Sequence, residues 1–200
     1  KSRLFETYDI NDRPLSLEEN GVFQYKMKIL KNILAIDYGH GMFSGNEEVF
    51  AVNVQANSGN RGYNFVSKYQ GRASVFTVDN AELRLETRDK HSSSRLLACQ
   101  LHRRLGKEST LVVTLGANGC LLVTPTGVIE VAAVSGNITD TVGAGDAFFG
   151  IFSILVSHGV EDRLAAFMAN VAGYMEANVT GHKSNHTKLE FKQAITALLK

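Results

Sequence analysis

A polar, glycine-rich stretch that passes directly into an apolar helix constrains this chain more than any other feature. Residues Ser135 to Gly145 are mostly polar or small, and from Asp146 the run Asp146-Ala147-Phe148-Phe149-Gly150 opens a helical pattern ending near Ser157. The first N–H groups of a helix have no partner inside it, and the helix dipole adds about half a positive charge there. A loop feeding such an end is an anion site. Gly143 and Gly145, with only Ala144 between them, let backbone approach a ligand closely, and Asp146 stands in the first turn beside whatever anion binds. A carboxylate so placed can orient a phosphoryl acceptor. The same residues also fit a plain helix start, in which Asp146 complements the dipole and the glycines only permit the bend.

Other glycine loops fit less well. A P-loop needs a lysine after its last glycine, and none follows Gly150. A dinucleotide fingerprint needs a small residue where Phe148 stands and a buried strand ahead of the loop, which disfavours a nicotinamide-dependent oxidoreductase.

Asp140-Thr141-Val142-Gly143-Ala144-Gly145-Asp146 resembles the D-T-x-G-A-G-D signature of the ribokinase-like (PfkB-type) sugar kinases. Upstream, Thr114-Leu115-Gly116-Ala117-Asn118-Gly119 resembles the family's T-x-G-x-x-G nucleotide loop. Within the family, Asp37-Tyr38-Gly39-His40-Gly41 looks most like the kinases that act on heptose 7-phosphate in ADP-heptose synthesis. The resemblance runs from about Arg3 onward and covers the C-terminal two thirds of such a kinase, without the sugar-recognition segment and β-strand lid that come first. It implies an α/β fold: an open, mostly parallel sheet with helices on both faces and a small antiparallel edge, as one kinase-domain fragment over residues 1–200.

The resemblance also implies ATP-dependent transfer of a γ-phosphoryl group to a hydroxyl of a sugar or sugar phosphate. Asp146 would orient and deprotonate the acceptor, and in the catalytic loop opened by Gly143 the N–H groups of Ala144, Gly145 and Asp146 would hold the charge on the transferring group. Thr114, Gly116, Gly119 and Asn170 would bind nucleotide, the last from a helix lining the adenine pocket, although an asparagine on a helix flank is as often solvated. Asp37, Gly39, Asn57 and Arg61 would bind substrate; from their residues alone, the Asp37 loop also reads as a simple turn and the Arg61 loop as a solvated one. Asp79-Asn80-Ala81-Glu82 resembles the family's N-x-x-E motif, so Glu82 and Asp79 would hold the Mg²⁺ of the nucleotide through water. Read locally, the same pair is an N-cap and a first-turn glutamate. Asp140 would help hold a monovalent cation, K⁺, behind the anion hole.

Two departures stand out. Asn53-Val54-Gln55-Ala56 occupies the place of the family's D-P-K-G, and the stretch from Ile36 to Val49 is barely long enough for a crossover between parallel strands, through either a deletion or missing residues. Without a lid, water competes for the phosphoryl group, so this chain alone is expected to bind nucleotide yet transfer poorly. A non-catalytic nucleotide- or sugar-binding module of the same fold is the alternative.

The rest of the chain reads as follows. Ser16 and Glu19 form a capping box for a helix over residues 17–31; strands are expected over 33–36, 49–54, 73–78 and 111–115, and an antiparallel pair over 120–123 and 128–131. Between 92 and 105, Leu96, Leu97, Leu101 and Leu105 face inward at helical spacing, with Arg95, His102 and Arg103 outward. Helices follow over 147–157, 162–177 and 189–199, the second ending on a left-handed Gly181. His182 and His186 are surface residues without a metal-binding pattern.

Two hundred residues suffice for one domain burying about 70% of its unfolded surface. A net charge of +1 gives no global field for nucleic acid or an anionic membrane, so specific local sites must carry the function; the partner implied by the resemblance is a small-molecule sugar or sugar phosphate, and a homodimer is one assembly to consider. Cys99 and Cys120 are isolated and read as buried thiols of a reduced cytoplasmic protein. No run reaches the ~18 apolar residues of a membrane span.

Overall fold

Four short apolar segments form the parallel part of the sheet. They are β1 (Leu34–Asp37), β2 (Val49–Val54), β3 (Ala73–Asp79) and β4 (Thr110–Thr114), all parallel and adjacent in chain order. The computed structural model describes residues 16–39, 41–56, 64–136, 138–180 and 186–199. Beyond β4 the chain reverses, and β5 (Cys120–Thr124) and β6 (Gly127–Val131) add an antiparallel edge. This is the mixed sheet that the motif resemblance implies.

Parallel strands need cover on both faces, and the side-chain alternation supplies it. Val52, Phe76 and Leu111 point to one side, where α2 (Asn80–Thr87) and α3 (Ser94–Leu105) contribute Leu83, Leu97, Leu101 and Leu105. Their neighbours Ala51, Val75 and Val112 point to the other, against Phe148, Phe149 and Phe152 of α4 (Ala144–Ser157) and Ala165, Ala166 and Ala169 of α5 (Asp162–Ala177). Those alanines let α5 approach α4 closely. Two further helices, α1 (Leu17–Ile29) and α6 (Lys188–Leu198), lie at the periphery, each opened by a capping box.

The crossover from β1 to β2 contains no helix among its described residues. It is built around buried Glu47, whose carboxylate accepts from the Ser44 N–H at 3.1 Å, the Gly45 N–H at 2.9 Å and Gln24 Nε2 at 2.9 Å. Two backbone donors of the crossover are thus met by one side chain.

Some expectations are corrected. His102 is not on the solvated face of α3: it is buried, and its Nε2 lies 2.8 Å from the Ser109 carbonyl, an acceptor that the turn after α3 places beneath it. Leu96 is the exposed member of its face instead. Helix α4 begins three residues before the expected Ala147, so Gly143 is its N-cap and Gly145 lies in its first turn. Helix α5 ends at Ala177 with a right-handed Asn178 cap; Gly181 and His182 lie outside the described residues, and His186 is exposed. Cys120 is buried, Cys99 only partly, and both are free. No described helix is long and apolar enough to cross a membrane.

Candidate active site

All four parallel strands end on one edge of the sheet, the edge where open α/β folds bind ligands. There the N-terminus of α4 meets Asp79 and Thr114, the last residues of β3 and β4, across a cleft with two lobes. The larger lobe, about 530 Å³, is mostly apolar and lined by Leu115, Gly116, Val134, Phe148 and Tyr174. Its size suits a drug-sized or nucleoside-sized ligand. The smaller lobe, about 270 Å³, is mostly polar and lined by Asn53, Thr77, Glu82 and Asp146 among others. Asp79, Thr114, Thr141 and Gly145 line both, so the lobes are continuous.

The start of α4 forms the junction. Gly143 caps the helix at φ 82°, a left-handed conformation suited to glycine, and no side chain caps the end. The Ala144 N–H is turned back to the Thr141 carbonyl at 3.3 Å, whereas among the described residues the Gly145 and Asp146 N–H groups meet no acceptor. Two successive open donors at a positive dipole end attract an anion. The loop before them is pinned from behind: the N–H groups of Thr139 and Asp140 donate to the Ala177 carbonyl at the end of α5, at 2.9 and 3.0 Å. Asp140 turns its carboxylate to the Val142 N–H at 3.2 Å.

Asp146, the third residue of α4, faces the smaller lobe and is held by two neutral donors. Tyr38 Oη donates to its Oδ2 at 3.2 Å and Asn53 Nδ2 to its Oδ1 at 3.5 Å. Burial, and then the charge and hydrogen bond of Asp146, push the Tyr38 phenol above its usual pKa. Neither Tyr38 nor Asn53 was expected as a partner of this carboxylate, because they approach it from two different strand ends. Asn53 carried the only signal, its departure from the family's aspartate.

Asp79 and Glu82 form a capping box at the start of α2, each carboxylate accepting the other's backbone N–H at 2.7 Å. Glu82 Oε1 also accepts the Ala56 N–H at 3.1 Å, tying α2 to the end of β2. Burial, opposed by these hydrogen bonds and helped by the Asp79 charge, raises the Glu82 carboxyl to about 7. Both residues nevertheless line the smaller lobe. Thr77 adds a buried hydroxyl without a hydrogen-bond partner to that lobe. Carboxylates and an unsatisfied hydroxyl fit a hydrated Mg²⁺ and its phosphates, and no cluster of three or more ligating side chains among the described residues would strip the ion of its water.

Of the residues expected to bind nucleotide, Thr114 lies at the end of β4, and Gly116 and Gly119 frame a short turn on the wall of the larger lobe. Asn170 lines the same lobe, but its amide is engaged with the Ala132 carbonyl at 3.1 Å and Cys120 Sγ at 3.7 Å.

The substrate residues fare differently. Asp37 is 2% exposed and lines neither lobe. Its carboxylate pairs with Lys68 Nζ at 2.5 Å and accepts from Tyr69 Oη at 2.9 Å and the Gly39 N–H at 2.9 Å. The substrate contact expected of Asp37 is therefore corrected to an internal one: a carboxylate with so many buried donors faces the protein. Lys68 and Tyr69, from the 3-10 turn Val66–Tyr69, carried no signal of this in the sequence. Gly39 adopts φ 79° in the turn that Asp37 anchors. Asn57 and Arg61 lie outside the described residues.

Residues 44–188 match the pfkB family of carbohydrate kinases. The chain is 36% identical over 118 residues to the bifunctional protein HldE of Koribacter versatilis, covering 58% of this chain and 24% of that protein. It is 39% identical over 82 residues to a 1-phosphofructokinase of Haloferax volcanii, covering 41% of this chain and 26% of that one. The matched stretches thus span about a quarter of each relative. Among solved structures, phosphofructokinase-2 of Escherichia coli in complex with potassium superimposes with a TM-score of 0.72 at 15% identity, over 94% of this chain and 64% of that one.

Proposed function

Because the chain belongs to the pfkB family of carbohydrate kinases, we propose that it transfers the γ-phosphoryl group of ATP to a hydroxyl of a sugar or sugar phosphate, heptose 7-phosphate being the first candidate. The observation that carries this reading is the placement of Asp146 and two open backbone N–H groups where an apolar lobe meets a polar one. In this reading the base and ribose lie in the larger lobe against Phe148 and the Gly116–Gly119 turn, and the phosphates run past Gly145.

The acceptor oxygen forms its bond to the γ-phosphorus as the bond to the β,γ-bridging oxygen breaks, ADP leaves, and the acceptor proton passes to Asp146. Any carboxylate is a weak base at neutral pH. That suffices, since a loose phosphoryl transition state depends on positioning more than on early proton removal. The N–H groups of Gly145 and Asp146 meet the charge on the transferring group. Mg²⁺, held through water by Asp79 and Glu82, would neutralise the phosphates, and Asp140 would contribute to a K⁺ site behind the loop. The reading includes a single domain over residues 1–200, a cytoplasmic location and a small-molecule partner. The HldE relative is what favours heptose 7-phosphate.

A non-catalytic binding module is the second reading, favoured by Asn53 in place of the family's aspartate. Coupled ADP release on the full-length protein with MgATP and a panel of sugars and sugar phosphates separates them. Sugar-dependent turnover that Asp146→Asn lowers by about a thousandfold or more supports the kinase. Turnover indifferent to that substitution removes Asp146 from the chemistry, and ATP binding without any turnover favours the module.

A further inference from the structure

We propose that Tyr38 and Asn53 are positioning residues that fix the plane of the Asp146 carboxylate, an inference that rests on the kinase reading of Asp146. An aspartate's terminal torsion is broad and two-fold, so a carboxylate that must meet one hydroxyl needs outside restraint. Among the described residues no lysine or arginine pairs with Asp146. Its restraint comes from neutral donors, one on each oxygen: Tyr38 Oη on Oδ2 at 3.2 Å and Asn53 Nδ2 on Oδ1 at 3.5 Å.

The two donors are themselves rigidly mounted. Asn53 lies in β2, buried to 6% exposure and paired in register with Ile36 and Thr77 on either side. Tyr38 follows β1 in a turn locked by Asp37, whose Oδ1 accepts the Gly39 N–H at 2.9 Å, whose carbonyl accepts Asn64 Nδ2 at 2.8 Å, and whose Oδ2 meets Tyr69 and Lys68. The buried Asp37 network thereby gains a purpose. It aims Tyr38 at a carboxylate 108 positions further along the chain. Hydrogen bonds of 3.2 and 3.5 Å are long, as expected of a constellation that tightens when substrate arrives.

The test uses the full-length protein labelled with [¹³Cζ]tyrosine. The Tyr38 resonance is identified by its absence in Tyr38→Phe. Its titration midpoint should fall by about half a pH unit or more in Asp146→Asn, because the charge and the contact are both lost; Asp79 and Glu82, the other carboxylates at this lobe, are unchanged in that variant. An unmoved midpoint overturns the contact. In coupled ADP release with MgATP and the accepted sugar, Tyr38→Phe and Asn53→Ala should each lower kcat about tenfold while KM for MgATP stays within about twofold. Unchanged kcat, or an effect confined to the sugar's KM, overturns the positioning role. Wild-type protein with no sugar-dependent ADP release overturns the kinase reading instead, and the NMR titration then decides the contact on its own.

Discussion

Glu82 is a carboxylate whose protonation is coupled to folding. Burial raises its pKa to about 7 in the folded chain from 4.5. A raised folded value means that the native state binds the proton more tightly than the unfolded state, so the stabilisation is complete below pH 4.5 and is lost as pH rises through about 7. Chemical denaturation between pH 5 and pH 8 should therefore show a Glu82 contribution that declines by about 1–3 kcal/mol. In Glu82→Gln that part of the slope should vanish; a slope identical to wild type would mean the group stays ionised throughout. At this scale the sequence showed which residues carry charge at the site, Asp79, Glu82, Asp140 and Asp146, but not which way each one turns. Asp37 reads like a ligand-facing aspartate in the sequence and is an internal one in the fold, because its partners Lys68 and Tyr69 are distant in the chain.

Among the elements, the β4–β5 connection is held by its glycine more tightly than its sequence suggests. Gly119 sits at φ 86°, and a Cβ there would lie 2.1 Å from the Val131 carbonyl oxygen and 2.5 Å from the Ala133 N. Both atoms are backbone and cannot step aside. Gly119→Ala should destabilise the chain by about 2 kcal/mol or more, read as a fall in the denaturation midpoint, whereas Gly116→Ala, with open space at its Cβ, should cost only the strain of its positive φ, about 1 kcal/mol. Most element identities were legible: helical period marked α3, α4 and α5, branched apolar runs marked β1 to β4, and the capping box of α1 stood in plain sight. Their ends were less so. Helix α4 takes in Ala144 and Gly145, poor markers of a helix start, because packing on α5 holds them there: a Cβ on Gly173 would lie 3.1 Å from the Ala144 carbonyl oxygen. The inside-outside assignment of α3 failed at His102 for a similar reason, since burial of a polar ring depends on an acceptor, the Ser109 carbonyl, that periodicity does not report.

For the whole molecule, the sheet divides the apolar residues into two cores, and the cleft lies where both helical layers end against the strand tips. A ligand bridging β4 and α4 should resist unfolding of the molecule as a unit. At MgATP a hundredfold above its dissociation constant, stability should rise by about 2.7 kcal/mol, and the melting temperature should climb with the logarithm of concentration. The shift should persist in Asp146→Asn, which removes a group for the acceptor rather than the wall of the larger lobe; no shift in either protein would exclude nucleotide from the cleft.

The sequence by itself determined the class of fold, the glycine turns and the positive helix end at Gly143 to Asp146, since these depend on residues adjacent in the chain. It also contained the family's signature, matched over residues 44–188. Only the tertiary structure decided that Tyr38 and Asn53 hold Asp146, that Asp37 faces inward, and that Thr77 brings an unsatisfied hydroxyl to the polar lobe. Such contacts join strand tips brought side by side by sheet register, and a hydrogen bond between residues far apart in the chain leaves no periodic trace in either of them.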